Sequence, residues 1–174
     1  MKNTILTFVF ALFNLCVYSQ DFSARQIVKL PYDVNLEIIR YMDSLDRRGK
    51  HSCINIEYAY LDSAREIGDY GPMYYGDTIQ VKQFGILLSY EYDRPNTNKT
   101  NDLTRSDEWH STHRVFFPDK GTKIWSHYEC RFGFPPSYGY SSRWVDLDDN
   151  HALLIKFIRH KLKKYQIQPK IRSH

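Results

Sequence analysis

Hydrophobic periodicity changes twice along this chain, and the two changes constrain the fold more than any other feature. From Asp33 the apolar residues Leu36, Ile38, Ile39, Met42 and Leu45 recur at helical spacing, and Arg47-Arg48-Gly49 follows. Asp33 is the expected N-cap. The cations suit the last turn, and Gly49 supplies a residue able to take positive φ. From Cys53 the period becomes two: Ile54, Ile56, Tyr58 and Tyr60 alternate with Asn55, Glu57 and Ala59, the pattern of a half-buried strand. A second strand is expected over about Thr78 to Tyr92. Its apolar set slips from Ile79 and Val81 to Phe84, Ile86, Leu88 and Tyr90, which predicts a bulge near Gln83 or Gly85. Helical spacing returns in Leu154, Ile155, Ile158, Leu162 and Tyr165, behind the acids Asp146, Asp148 and Asp149.

Between the second strand and the last helix stands a hairpin. His113–Phe117 leads into Pro118-Asp119-Lys120-Gly121, and Thr122–Phe132 returns. Proline presets the turn dihedral, Asp bonds its own backbone, and Gly accepts positive φ. Gln20–Tyr32 reads as an extended lead-in. Asp62–Asp77, Asp93–Glu108 and Phe132–Arg143 read as loops. The order is then helix, four strands, helix. Its expected fold class is α+β, a four-stranded antiparallel sheet with an N-terminal and a C-terminal helix packed on one face. Residues 20–174 are expected to form a single domain ending in a basic C-terminal tail, about residues 166–174.

Ahead of that domain, Lys2 precedes an apolar run from Ile5 to Phe13, and Val17 and Ser19 stand at −3 and −1 from Gln20. This is the plan of a secretory signal peptide over residues 1–19, so the mature chain is expected to be exported, periplasmic or secreted. The run is too short to span a bilayer, which takes about 20 apolar residues. A lipidated Cys16 would want a small residue before it, where Leu15 stands. Cleavage leaves Cys53 and Cys130, and an oxidising compartment predicts a disulfide between them.

The formal charge of +4 is uneven. Between Lys156 and Arg172 lie seven bases and no acid, while the remainder of the mature chain holds more acids than bases. Such a tail suits anionic lipid, nucleic acid or an acidic partner. It also suits the C-terminal end of a helix dipole, and for an exported chain nucleic acid is not the expected partner.

Three constellations offer chemistry. His110 and His113 could meet His127 across the hairpin. A three-residue turn at Asp119–Gly121 would set His113 opposite His127, whereas a two-residue turn would place them diagonally on opposite faces. No HExxH-like framework accompanies them, so no metal and no cofactor are expected. His113, His127, Glu129 and Arg114 could instead run general acid–base chemistry in a small hydrolase or metal-independent nuclease. The third constellation is aromatic. Phe134, Tyr138, Tyr140 and Trp144, interleaved with Gly, Pro and Ser, supply contact area at low entropic cost, and Tyr74 and Tyr75 extend the set. The leading expectation is therefore a non-enzymatic binding protein that meets a protein or glycan through these rings, for instance an immunity-type inhibitor.

Overall fold

The computed structural model describes residues 20–67, 75–95, 108–132 and 137–170. The leader therefore lies outside the described residues, as do Tyr74 and Phe134. Six strands form: β1 (Gln20–Ile27), β2 (Lys50–Ile67), β3 (Tyr75–Pro95), β4 (Glu108–Pro118), β5 (Lys123–Phe132) and β6 (Ser137–Asp146). Helix α1 (Tyr32–Leu45) lies between β1 and β2, and α2 (Asp149–Lys164) follows β6. The strands are antiparallel neighbours in chain order, and Ile67 of β2 also pairs with Ser142 of β6. One sheet thus curls until its last strand meets its second.

This corrects the expected four-stranded sheet. The lead-in pairs with β2 along its length, from Gln20↔Ala64 to Ile27↔Glu57, so a strand precedes the first helix. The segment after Phe132 becomes β6, in register with β5 from Lys123↔Asp146 to Phe132↔Ser137. Among the described residues no helix is long and apolar enough to cross a membrane.

Both faces of the sheet are buried in part. On one, Ile56, Ile86, Leu88, Val115, Phe117 and Ile124 pack with Val34, Ile38 and Met42 of α1 and Leu154, Ile155, Ile158 and Leu162 of α2. On the other, Ala59, Leu61, Leu87, Phe116 and Trp125 form a second core, joined by Phe22, Val81 and Trp144. Curling encloses this second face, which explains why Ile86-Leu87-Leu88 and Val115-Phe116-Phe117 are continuous apolar runs.

Local details follow the chemistry with some shifts. The β3 bulge falls at Val81–Lys82, where these two residues oppose Asp62 alone and Lys82 takes φ 49°. Pro31, not Asp33, occupies the N-cap of α1, and Asp33 sits in its first turn. Gly49 does not supply a positive φ, which among described glycines belongs to Gly121 in the hairpin turn. It supplies room instead: a Cβ there would stand 2.5 Å from the Asp93 carbonyl oxygen. Asp148 caps α2, accepting from the His151 amide at 2.8 Å.

The expected disulfide is also corrected. Cys53 is a free, exposed thiol at φ 48° in a β2 bulge. Its neighbour Ser52 pairs with Glu91, Glu91 with Thr112, and Thr112 with Glu129, which adjoins Cys130. Three strand spacings of about 4.8 Å put the two cysteines roughly 14 Å apart, and a disulfide needs Cα atoms within about 7 Å.

Candidate functional site

The C-terminal end of α2 and the chain beyond it build a groove against the sheet. The Tyr165 amide donates to the Lys161 carbonyl at 3.0 Å, Gln166 takes φ 54°, and the Ile167 amide returns to the Leu162 carbonyl at 3.0 Å. This reverses the chain. The Tyr58 hydroxyl then donates to the Ile167 carbonyl at 3.0 Å, and the Lys170 amide donates to Gln26 Oε1 at 2.6 Å. Residues 166–170 are thereby strapped across β2 and β1.

Beneath the strap lies a cavity of about 560 Å³. Phe84, Ile86, Leu162, Ile167 and Pro169 give it apolar walls, and Tyr58, Asp119, Arg159 and Lys163 supply polar groups. Arg159 is positioned by Asp119 at 3.5 Å and by the Pro118 carbonyl at 3.3 Å. Burial, and then the charge of Asp119, raises the Tyr58 hydroxyl above its usual pKa, so it stays a neutral donor. The volume falls in the range of ligand sites, about 300–1,000 Å³. Among the described residues no histidine, serine or cysteine lines the groove. The lining thus sets apolar walls beside one hydroxyl, one carboxylate and two cations.

The hairpin histidines do not form one site. The observed register pairs His113 with Tyr128 and Arg114 with His127, one step from the three-residue turn and two from the two-residue one. It sets His113 and His127 on opposite faces, the diagonal arrangement expected of the two-residue turn. On the helix-facing side, the His113 ring stacks on Tyr90 at 4.9 Å and 1°. Ser111 Oγ donates to the Tyr92 carbonyl at 3.2 Å, so at 2.9 Å it accepts from His113 Nε2. Burial, with the nearby charges of His51, His127 and His151 adding to it, pushes His113 down to about 4. It is a neutral ring at physiological pH.

On the opposite face His127 is buried, with Nδ1 against Ser142 Oγ and Nε2 at 3.1 Å from Glu129. That bond holds the Glu129 carboxyl below its usual range. Ser142 is 0% exposed, so no substrate reaches its hydroxyl. His110, at the end of β4, pairs with Asp93 at 2.6 Å.

A second, smaller cavity of about 190 Å³ opens where α1 ends and α2 begins, lined by His51, Tyr90 and His151 among others. Asp43 holds His51 Nδ1 at 2.9 Å, and Asp148 holds His151 Nδ1 at 2.9 Å. Among the described residues, no group of three His, Cys, Asp or Glu side chains is placed to hold a metal ion.

The aromatic set divides. Trp144 turns into the second core, edge-on to Trp125 at 5.6 Å, and its amide donates to Glu66 Oε1 at 3.2 Å. Tyr138 and Tyr140 stand in β6, in register with Arg131 and Glu129, and Tyr75 opens β3 opposite Ile67. Their side chains lie outside the described residues.

The groove itself went unseen in the sequence. Its residues come from β2, β3, the hairpin turn, α2 and the strap, with no local motif to join them. The one available signal was the basic, acid-free stretch that holds Arg159 and Lys163. The chain matches no family model, no curated protein and no solved structure.

Proposed function

We propose that this chain is an exported, non-enzymatic binding protein that holds an amphipathic anion, an apolar body with one carboxylate or phosphate, in the groove beneath the strap. The observation that carries this reading is the cavity of about 560 Å³ with apolar walls and Arg159 and Lys163 beside it. An apolar pocket with few convergent polar groups is the usual form of a small-molecule site. The cations select a negative end, and a charge-assisted hydrogen bond contributes about 1.5–3 kcal/mol. This moves the binding role expected of the aromatic residues to a site whose side chains are described. Contact with a protein or glycan through Phe134, Tyr138 and Tyr140 remains a separate proposal, resting on the sequence.

Two fluorescent probes test it. The anionic anilinonaphthalene sulfonate and the neutral N-phenyl-naphthylamine should both bind the wild type. Lys163→Glu should weaken the anionic probe about tenfold or more, the loss of one charge-assisted contact, and leave the neutral one unchanged. If neither probe binds, or if both respond alike to Lys163→Glu, the reading fails.

A further inference from the structure

The outer face of α2 presents a cationic stripe of which the groove uses Lys163 alone. Leu154, Ile155, Ile158 and Leu162 point into the core, which turns Leu153, Lys156, His160, Lys163 and Lys164 outward, all exposed. Other charges in this region are already engaged: Lys161 with Glu37 on α1, and Arg159 with Asp119 in the hairpin turn. Among the described residues Lys156, Lys163 and Lys164 make no ion pair, and the Lys164 ammonium rests 5.8 Å from the centre of the Tyr165 ring. The acid on the stripe, Asp149, stands at the first turn, and no acid follows through Arg172. Helix-dipole stabilisation accounts for cations in the last turn, Lys161, Lys163 and Lys164, but not for Lys156 near mid-helix.

Apolar side chains break the stripe. Leu153 is 46% exposed on this face, and Tyr165 at the helix end is 37% exposed. Lysines without an ion pair beside an outward Leu on one helix face are the composition that lies on an anionic bilayer. There the charges meet headgroups and the apolar side chains enter the headgroup–acyl boundary. A nucleic acid would use the lysines and leave Leu153 without a role.

We propose that the outer face of α2 docks this protein on anionic lipid bilayers, through Lys156, Lys163 and Lys164, with Leu153 entering the interface. This stands whether or not the groove binds an amphiphile, and the two are measured separately.

Co-sedimentation with phosphatidylcholine vesicles, made with and without phosphatidylglycerol, is the test. The full mature chain should bind only the anionic vesicles and should be released by salt. Lys156→Gln/Lys164→Gln, which alters no groove residue, should weaken vesicle binding about thirtyfold, roughly fivefold for each lysine near the surface. The double variant should bind anilinonaphthalene sulfonate as the wild type does, which shows that it is folded. Leu153→Ser should weaken vesicle binding without touching the groove. Equal binding to both vesicle types, or a double variant that binds anionic vesicles like wild type, overturns the proposal. So does tight, salt-sensitive binding to a single-stranded RNA oligonucleotide with none to vesicles. Failure of the probe to bind even the wild type would count against the groove alone.

Discussion

His113 gives the structure a pH dependence whose sign and size can be worked out. In the unfolded chain its pKa is near the ordinary value of about 6.5. In the fold it is pushed down to about 4, chiefly by burial. Between those values the unfolded chain binds a proton that the folded chain refuses, so stability rises with pH across the window. It is fully present above about 6.5 and lost as pH falls toward about 4. A gap of about 2.5 units at 1.36 kcal/mol each sets an upper bound of about 3 kcal/mol. The perturbation is His113→Phe, which keeps a planar ring against Tyr90 and removes the titrating group. It forfeits the bond to Ser111, about 1 kcal/mol at every pH. Urea unfolding of both proteins from pH 7 to pH 4 is the assay. The wild type should lose up to about 3 kcal/mol more than the variant over that range, or roughly 6–12 °C in Tm for a chain of this size. Subtracting the variant cancels the other histidines and the carboxylates. If the two pH profiles run parallel, His113 is not the buried neutral ring described.

Two further perturbations test neighbouring features. Asp46 is held at about 2, first by its side-chain bond to Arg48. A depressed carboxyl contributes stability present above its unfolded pKa of about 3.9 and lost as pH falls through about 2. Arg48 is 70% exposed, so solvent screening reduces the contribution to about 1 kcal/mol. Asp46→Asn should therefore cost about that much in urea unfolding at pH 7 and little near pH 2, and an equal cost at both would refute it. At Gly85, a Cβ would stand 2.3 Å from the Phe117 carbonyl oxygen and 2.8 Å from the Phe116 ring. Gly85→Ala should force β3 and β4 apart and cost about 2 kcal/mol or more by the same method, and an unchanged midpoint would refute the packing.

The helices were legible because each buries one stripe at a regular interval and is followed by polar or capping residues. Asp148 caps α2 where three aspartates announced its start. β1 and β6 were hidden for physical reasons. In the sequence of Ser137–Asp146, Tyr138, Tyr140, Ser142 and Trp144 stand at alternate positions, but Ser142 interrupts the apolar series, and Ser137, Gly139, Ser141 and Arg143 lie between. Serine reads as loop chemistry in isolation. In β6 it is fully buried because His127 on the neighbouring strand takes its hydroxyl. β1 has the same character. Phe22 is its only ring, and Arg25 is fixed by a bidentate pair with Glu57 at 2.6 Å, a partner 32 residues away. Strands that contribute polar partners instead of apolar ones leave no period to count.

The candidate sites failed to appear in the sequence for a related reason. Spacing along one hairpin cannot decide which face a residue occupies, since a one-residue change in register inverts it. The observed register lies one step from the three-residue turn that would have set His113 opposite His127, and it puts them on opposite faces, as the two-residue turn would also have done. What the fold builds instead depends on distant partners: the Tyr58 hydroxyl on the Ile167 carbonyl, 109 residues apart, closes the groove. The same helix serves both proposed surfaces because consecutive residues of a helix point about 100° apart. Leu162 walls the cavity, and Lys163 stands between the cavity and the outward stripe. A single substitution at Lys163 should therefore weaken both the anionic probe and anionic vesicles, whereas Lys156 and Lys164 affect vesicles alone. That asymmetry follows from helical geometry and from no other feature of the chain.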